Sequence, residues 1–234
     1  DNTFVAKMDG TVLDKGQLLL TGAVRAEGGT SGGARFYNSV LAIDDSGEIT
    51  DAVDKLHLVP FGEYVPFQGL LGRFGVDKLV ELPGQFAAGT VRHTIKLPDG
   101  AAALPFICSE IIFPGEGDKD APGADLIVNV TNDAWFGNTP GPYQHFRQAE
   151  VRAVELGLPL IRAANNGVSA IVDAHGRVLD ALAINAVGSL DASLKLERGR
   201  NPHVGTPSTN GFLTIILFGL AAAVMKLTGR RRFN

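Results

Sequence analysis

The sequence predicts an α/β fold, because several short apolar segments alternate with one segment of helical period. Six segments rich in aliphatic and β-branched residues, bounded mostly by glycine, proline or aspartate, are interpreted as strands: 17–24, 37–44, 101–108, 125–131, 159–164 and 168–173. Their nearly continuous apolar character is typical of strands that are covered on both faces. A turn at 173–176 then leads into a further short apolar segment at 177–179.

One helix is predicted over residues 142–156. Pro142 suits its first turn, and Gly157 with Pro159 is expected to end it. The apolar members of this helix are Phe146, Ala149, Ala153, Val154 and Leu156.

The composition indicates a globular protein with a sizeable core. Hydrophobic residues make up 45% of the 234 positions and charged residues 20%, which suits one large domain or two small ones. The net charge of −4 gives no support to nucleic-acid binding. A single cysteine excludes an internal disulfide, and its thiol is either a small buried hydrophobe or a reactive group.

The C-terminal region predicts a membrane helix. Residues 211–225 read GFLTIILFGLAAAVM without a charge, and an extension to residue 227 approaches the ~20 residues that a bilayer requires. Three arginines follow at 230–232, so the basic tail 228–234 is predicted to be cytoplasmic and residues before 211 to lie on the other side. Residues 198–210 have the composition of a linker. The alternative is a buried C-terminal helix of a soluble protein.

A proline-rich segment, KLHLVPFGEYVP, occupies residues 55–66 and is predicted to be a shaped loop that leaves a strand. Lys55 and Glu63 are its notable charged groups. A partly desolvated lysine beside a carboxylate can stabilise an oxyanion or transfer protons. A lysine and a glutamate that are simply at the surface remain the alternative.

Cys108 falls at the end of a predicted strand, where catalytic side chains collect in α/β folds. A thiol needs a base or a cationic neighbour to react at neutral pH, and Lys55 could supply the cation. The backbone N–H near Ser109 is a candidate oxyanion donor. Glu110 could form hydrogen bonds within the site or cap the following turn. None of the histidines has an informative local context.

A third segment, NVTNDAWFG at 129–137, places Asn132 and Asp133 at a strand end, followed by the Trp135–Phe136 pair. This pattern suits the rim of a pocket for an apolar ligand, although a turn with packed aromatic residues is equally open. The sequence offers no convincing set of metal ligands, so neither a metal nor another cofactor is expected.

Together these motifs (K-x-H-L-V-P-F-G-E-Y-V-P, I-C-x-E, N-D-A-W-F-G, R-A-x-E and R-A-A-N-N-G) resemble the nitrilase, or carbon–nitrogen hydrolase, superfamily. Within it, the sequence is most similar to the apolipoprotein N-acyltransferase family. The resemblance implies a four-layer αββα sandwich over residues 1–197, on the periplasmic face of a bacterial inner membrane, tethered by a helix at 211–227.

The resemblance also implies a Glu-Lys-Cys triad, of which Lys55 and Cys108 match two members. Glu63 matches a further glutamate that positions the lysine and the substrate. Other positions near the family's active site are matched by Glu110, Asn38 and Trp135. The triad glutamate belongs to an upstream W-P-E motif that has no match here. We therefore expect a C-terminal fragment of a longer enzyme, with little activity because the thiol lacks its general base.

The implied reaction transfers a fatty acyl chain from a phospholipid, through a Cys108 thioester, to the N-terminal S-diacylglyceryl-cysteine of a lipoprotein. The implied partners are thus a phospholipid donor, a diacylated apolipoprotein acceptor and the membrane, with no nucleic acid. An alternative is an amidase or nitrilase in which water attacks the thioester. A third is a catalytically inactive binding module.

Overall fold

The computed structural model describes residues 13–28, 33–64, 66, 86–117, 119–196 and 212–221. Residues 1–199 form one compact unit and residues 200–234 a second. The strands described in the first unit are β1 Leu18–Glu27, β2 Arg35–Asp44, β3 Ile49–Asp54, β4 Ile95–Lys96, β5 Ala102–Ile107, β6 Leu126–Asn132, β7 Leu160–Asn165, β8 Ser169–Val172 and β9 Val178–Leu182. The helices described there are α1, Gly141–Leu156, and the 3-10 turns Cys108–Ile112, Ala121–Gly123 and Asp133–Phe136.

The first sheet is antiparallel, in the order β1-β2-β3. Successive side chains in a strand point to opposite faces of the sheet. The central strand β2 carries apolar side chains on both of its faces. Val40 and Ala42 lie on one face, and Leu41 and Ile43 on the other; none of the four is more than 8% exposed. Both faces of this strand are therefore covered.

The second sheet has six strands in the order β4-β5-β6-β7-β8-β9. Its centre, β5-β6-β7, is parallel, whereas β4, β8 and β9 pair antiparallel. Parallel strands bring their carboxyl ends to one edge of the sheet, where open α/β folds hold their ligands. Cys108 follows β5 and Asp133 follows β6, so both lie at this edge.

The two sheets pack against each other, and α1 covers the other face of the second sheet. Between the sheets, Val40 and Val53 cluster with Ile107. On the opposite face, a larger cluster joins Phe106 and Ile127 to residues of α1. Each fully buried aliphatic side chain contributes about 1.5–3 kcal/mol, so these clusters hold the layers together. The predicted α/β class is confirmed.

The predicted strands agree with β1, β2 and β5 to β8 to within three residues at each end, and the segment 177–179 begins β9. β3 was not predicted, because its sequence ITDAVD mixes acidic and apolar residues. Among the apolar members of α1, Val154 is 47% exposed. His145 and Arg152 are buried instead, since each finds polar partners in the protein interior.

In the second unit, residues 212–221 are helical. The rest of the predicted span 211–227, the predicted linker 198–210 and the tail 228–234 lie outside the described residues. Among the residues that the structure describes, no helix is both long and apolar enough to cross a membrane.

Candidate active site

Lys55 directly follows β3 and is only 1% exposed. Its backbone N–H donates to the carbonyl of Asn38 on β2 (2.8 Å), and its own carbonyl accepts from the N–H of Gly89 (2.8 Å). A Cβ at Gly89 would lie 2.7 Å from the carbonyl oxygen of Asp54, so only glycine fits there. The end of β3 is thus held on both sides, and the lysine enters the interior.

The ammonium of Lys55 is paired with Glu63, as the loop motif suggested. Nζ lies 2.9 Å from Oε1 and 2.8 Å from Oε2 of Glu63. The same carboxylate accepts hydrogen bonds from Nδ2 of Asn38 and from the N–H of Val59 (2.7 Å). Glu63 therefore holds the lysine, and its oxygens are engaged by three donor groups. The surface alternative for this pair is wrong.

Cys108 begins the 3-10 turn that follows β5, and its thiol is half-buried. Its φ of +52° lies in the left-handed region. That conformation costs a residue with a Cβ about 1–2 kcal/mol, so the surrounding contacts must hold it. Cys108 packs against the apolar cluster that contains Val40 and Val53 of the first sheet. Strained backbone of this kind is typical of functional sites.

Glu110, 1% exposed, connects the turn of Cys108 to the loop of Lys55. Its Oε2 accepts from the N–H of Ile107 (2.8 Å), within its own turn. Its Oε1 accepts from the N–H groups of Leu56 (2.7 Å) and His57 (3.2 Å), the two residues after Lys55. Both roles considered for Glu110 are therefore present, and they bring the segments after β3 and β5 together.

Arg92 supports Glu110 and was not singled out by sequence reasoning. Its guanidinium lies 3.1 Å from Oε1 of Glu110 and donates to Glu116 at 2.8 Å. It also stacks over the ring of Phe106, 4.4 Å from the ring centre. A cation placed in this way balances the buried charge of Glu110. The local sequence TVRHT carries no signal that could have found it.

A second polar group, of which the sequence analysis singled out only Asp133, lies behind Cys108. Nδ1 of His145 is 2.8 Å from Oδ1 of Asp133, and Arg162 donates to Oδ2 of Asp133 at 2.8 Å. Nε2 of His145 is 3.2 Å from the carbonyl oxygen of Cys108. All three side chains are buried. The local sequence around His145 gave no signal of this contact, because His145 reaches Cys108 only through the packing of α1 on the sheet.

The electrostatics of this group favour an ionised Asp133. Burial alone would raise the pKa of Asp133, but the hydrogen bond with His145 and the charge of Arg162 outweigh it and hold the pKa below its usual range. Burial lowers the pKa of Arg162, while the charges of Asp133 and Cys108 oppose this effect. The side chain of Asn129 also joins Arg162 to the carbonyl of Phe106. These bonds therefore tie β5, β6 and β7 together.

Of the other predicted residues, Asn38 contacts Glu63 and Ser109 is half-buried beside Cys108. Trp135 is 77% exposed and Phe136 is 40% exposed, so neither is packed in the core. Asn132, which precedes them, caps their turn by accepting from the N–H of Ala134. In the described ranges, no group of three His, Cys, Asp or Glu side chains could hold a metal ion.

The arrangement offers a thiol at a strained turn, a buried ammonium held by a carboxylate, and a second buried polar group behind the thiol. These are the parts of a nucleophilic acyl-transfer site: a nucleophile, a cation for the developing oxyanion, and rigid support for both. Glu63 and Glu110 are already engaged as acceptors.

Comparisons with known proteins agree with this architecture. The model of the family "Carbon-nitrogen hydrolase" matches residues 1–201. The chain is 54% identical over 228 residues to the apolipoprotein N-acyltransferase of Brucella melitensis, and 56% identical over 225 residues to that of Agrobacterium fabrum. Both alignments cover 96% of this chain and 42% of the relative. The chain thus spans less than half the length of these relatives.

Solved structures share the fold at low sequence identity. An alanine mutant of the amidase from Nesterenkonia AN1, of the nitrilase superfamily, aligns with a TM-score of 0.56 at 20% identity, covering 79% of this chain and 64% of that one. A carbon–nitrogen hydrolase from Helicobacter pylori G27 aligns with a TM-score of 0.52 at 18% identity, covering 78% and 61%. With the family match over most of its length, the chain belongs to the carbon–nitrogen hydrolase family and has its nitrilase-like α/β fold.

Proposed function

We propose that this chain carries the nucleophile and the lysine of an N-acyltransferase. The enzyme transfers a fatty acyl chain from a phospholipid, through a thioester on Cys108, to the N-terminal S-diacylglyceryl-cysteine of a lipoprotein. The observation that carries the proposal is the pair of hydrogen bonds that Glu110 accepts from the N–H groups of Ile107 and Leu56, which join the turn of Cys108 to the loop of Lys55. The likeness to named apolipoprotein N-acyltransferases supplies the two substrates.

The first half-reaction begins with attack of the Cys108 thiolate on the carbonyl carbon of the phospholipid ester. The C–S bond forms, the ester C–O bond breaks, and the lysophospholipid leaves with a proton. In the second half-reaction the lipoprotein amine attacks the thioester. The C–N bond then forms, the C–S bond breaks, and the amine proton returns the thiol to its starting state.

Lys55 and the N–H of Ser109 are assigned to the oxyanion that forms in each half-reaction. Glu63 is assigned to holding Lys55, since its oxygens already accept from the lysine, Asn38 and Val59. The resemblance assigns the thiol proton to a glutamate of a W-P-E motif, which these 234 residues do not contain. For this reason, we expect thioester formation by this chain to be slow near neutral pH.

Membrane attachment belongs to the same proposal. We assign residues 198–210 to a linker, 211–227 to a membrane helix and 228–234 to a cytoplasmic tail, with the catalytic domain 1–197 on the periplasmic side of a bacterial inner membrane. Large apolar side chains of the helix at 212–221 are well exposed: Phe212, Ile215 and Phe218 each exceed 65%. Such a surface is suited to lipid. The burial of Leu41 and Ile43 on the outer face of β2 supports the four-layer αββα sandwich.

The test is intact-protein mass spectrometry after incubation with phospholipid vesicles at alkaline pH, where a thiol ionises without a catalytic base. We expect the mass of one acyl group on the wild-type chain, located on Cys108 by peptide mapping, and none on Cys108→Ser. Lys55→Met should slow the reaction by at least about a hundredfold, as expected for the loss of an oxyanion donor. An acyl group on another residue, or none at all, would overturn the proposal.

The amidase alternative gives a different result in the same assay. Vesicles would leave Cys108 unmodified, whereas a small amide such as butyramide would be hydrolysed with release of ammonia. Extraction of the chain from membranes by alkaline carbonate would also favour it, since a hydrolase of small amides has no need of a membrane helix.

A further inference from the structure

The peptide unit between Cys108 and Ser109 is oriented by a side chain from α1. Nε2 of His145 lies 3.2 Å from the carbonyl oxygen of Cys108. A carbonyl oxygen can only accept a hydrogen bond, so Nε2 carries the proton in this contact. In a trans peptide the carbonyl and the following N–H point in opposite directions. The N–H of Ser109 therefore points away from His145.

This orientation is not one that the backbone would adopt unaided. Cys108 has a φ of +52°, which the chain reaches only when its surroundings enforce it. A rotation of this one peptide plane would turn the N–H of Ser109 in another direction. A contact that holds the Cys108 carbonyl therefore also sets the direction of the Ser109 N–H.

His145 is itself held firmly. It is 4% exposed, and its Nδ1 lies 2.8 Å from Oδ1 of Asp133 and 3.2 Å from a guanidinium nitrogen of Arg162. Asp133 is fixed in turn by Thr131 (3.0 Å) and by Arg162 (2.8 Å). The His145–Asp133 and Arg162–Asp133 contacts are buried, and the two oxygens of the Asp133 carboxylate are engaged by His145, Thr131 and Arg162. The imidazole is accordingly fixed in place rather than free to rotate.

We infer that His145 is a positioning residue for acyl transfer: by holding the Cys108 carbonyl, it directs the N–H of Ser109 toward the oxyanion that forms on the acylated carbonyl. Asp133 and Arg162 act through His145 by fixing its ring. The inference rests on the proposed function in so far as Cys108 is the residue that is acylated. His145 is thus a further residue of the site, and it acts on the Cys108 peptide, whereas Lys55 and Glu63 bond to each other.

Two reagents that consume the same thiolate separate this role from a merely structural one. With p-nitrophenyl hexanoate, Sγ attacks the ester carbonyl, an oxyanion forms, and p-nitrophenolate leaves as the thioester is made. With iodoacetamide, Sγ displaces iodide from a saturated carbon and no oxyanion forms. Because Cys108 is the only cysteine, the part of each rate that is lost in Cys108→Ser reports on its Sγ alone. The ratio of the two rates cancels any change in the fraction of thiolate.

We expect His145→Leu to lower the ratio of acylation to alkylation by at least about tenfold, because an oxyanion donor is misdirected. His145→Gln should recover much of the ratio, since its amide N–H can donate to the same carbonyl. His175→Leu, in the exposed turn between β8 and β9, is the matched control and should leave the ratio unchanged. Thermal unfolding of each variant checks that it folds.

The inference is overturned if acylation and alkylation fall in parallel in His145→Leu, or if His145→Gln is as impaired as His145→Leu. Its failure is distinguishable from failure of the proposed function. If the ester acylates Cys108 in a His145-dependent manner but phospholipid vesicles do not, the inference stands and the phospholipid donor is wrong. If vesicles acylate Cys108 and the ratio of acylation to alkylation is insensitive to His145, the proposed function stands and the positioning role of His145 is wrong.

Discussion

The carboxylate of Glu110 accepts a 2.7 Å hydrogen bond from the backbone N–H of Leu56, a residue 54 positions away in the chain. Leu56 follows Lys55, and Glu110 lies two residues after Cys108. A single buried acceptor thereby sets the spacing between the segment that carries the lysine and the segment that carries the thiol. Arg92 balances its charge from the other side.

Replacement of Glu110 tests this connection. Glu110→Ala would leave three backbone N–H groups without their acceptor and the buried guanidinium of Arg92 without one of its partners. We expect a loss of about 3–5 kcal/mol in the free energy of unfolding, measured by urea denaturation. Glu110→Gln keeps one acceptor oxygen and should lose less. The control Glu116→Gln, at a more exposed carboxylate, should cost no more than about 1 kcal/mol.

The Lys55–Glu63 pair calls for a double-mutant cycle. Lys55→Met would leave the Glu63 carboxylate without its cation in a site where the lysine side chain is 1% exposed. We expect Lys55→Met and Glu63→Gln each to lower the free energy of unfolding. The double variant should lose less free energy of unfolding than the two single variants lose in sum, with a coupling energy of about 0.5–3 kcal/mol. Strict additivity in urea denaturation would show that the pair is not coupled in solution.

The strained backbone at Cys108 predicts an unusual order of stability. Glycine adopts a φ of +52° without penalty, whereas alanine does not. Cys108→Gly should therefore be more stable than Cys108→Ala by about 1 kcal/mol, the reverse of the order at an ordinary position. Thermal unfolding of the two variants, neither of which can be acylated at this position, measures the difference. A more stable Cys108→Ala would contradict the left-handed conformation.

Asp54 is expected to contribute to acid sensitivity. Burial would raise the pKa of Asp54, but hydrogen bonds from Arg25 and Ser39 and the charge of Arg25 outweigh it and hold the pKa below its usual range. Its contribution is therefore complete above the ordinary aspartate value of about 4. It is lost as the pH falls below that value, because the unfolded chain takes up the proton first.

Asp54→Asn should flatten the pH dependence of the free energy of unfolding below about pH 4, relative to the wild-type chain. Urea denaturation at a series of pH values measures both curves. Parallel curves for the two proteins would mean that Asp54 titrates alike in the folded and unfolded states.

Local chemistry made much of the fold and the central site residues predictable. Apolar strands and the Pro142-to-Gly157 helix have strong local signals, and the loop and thiol motifs mark Lys55, Glu63 and Cys108. β3 lacked such a signal, because its acidic residues find partners elsewhere in the fold: Asp54 pairs with Arg25 of β1, and Asp51 with His93. The apolar side chains of β3, such as Val53, are buried only when β3 pairs with β2 in the folded sheet.

The supporting residues could not be predicted for a related reason. Arg92, His145 and Arg162 are polar side chains whose partners lie elsewhere in the sequence. The R-A-A-N-N-G motif begins at Arg162, but neither that motif nor the neighbourhoods of Arg92 and His145 shows that these side chains are buried. Val154 shows the converse, an apolar residue at a plausible position that the packing of α1 leaves exposed. Burial of a charge depends on its partners in three dimensions, and a linear pattern does not specify them.

The contacts that hold the Cys108 turn join residues that are far apart in the sequence, and this separation affects when the candidate site is assembled during folding. The contact from His145 to Cys108 spans 37 positions and the one from Glu110 to Leu56 spans 54. Long-range contacts are slow to form, because closing a large loop costs entropy. A chain still emerging from synthesis, or one that has misfolded, thus lacks the bonds that hold the Cys108 turn against the Lys55 loop and His145. The candidate site is therefore complete only when the strands and α1 have all packed together.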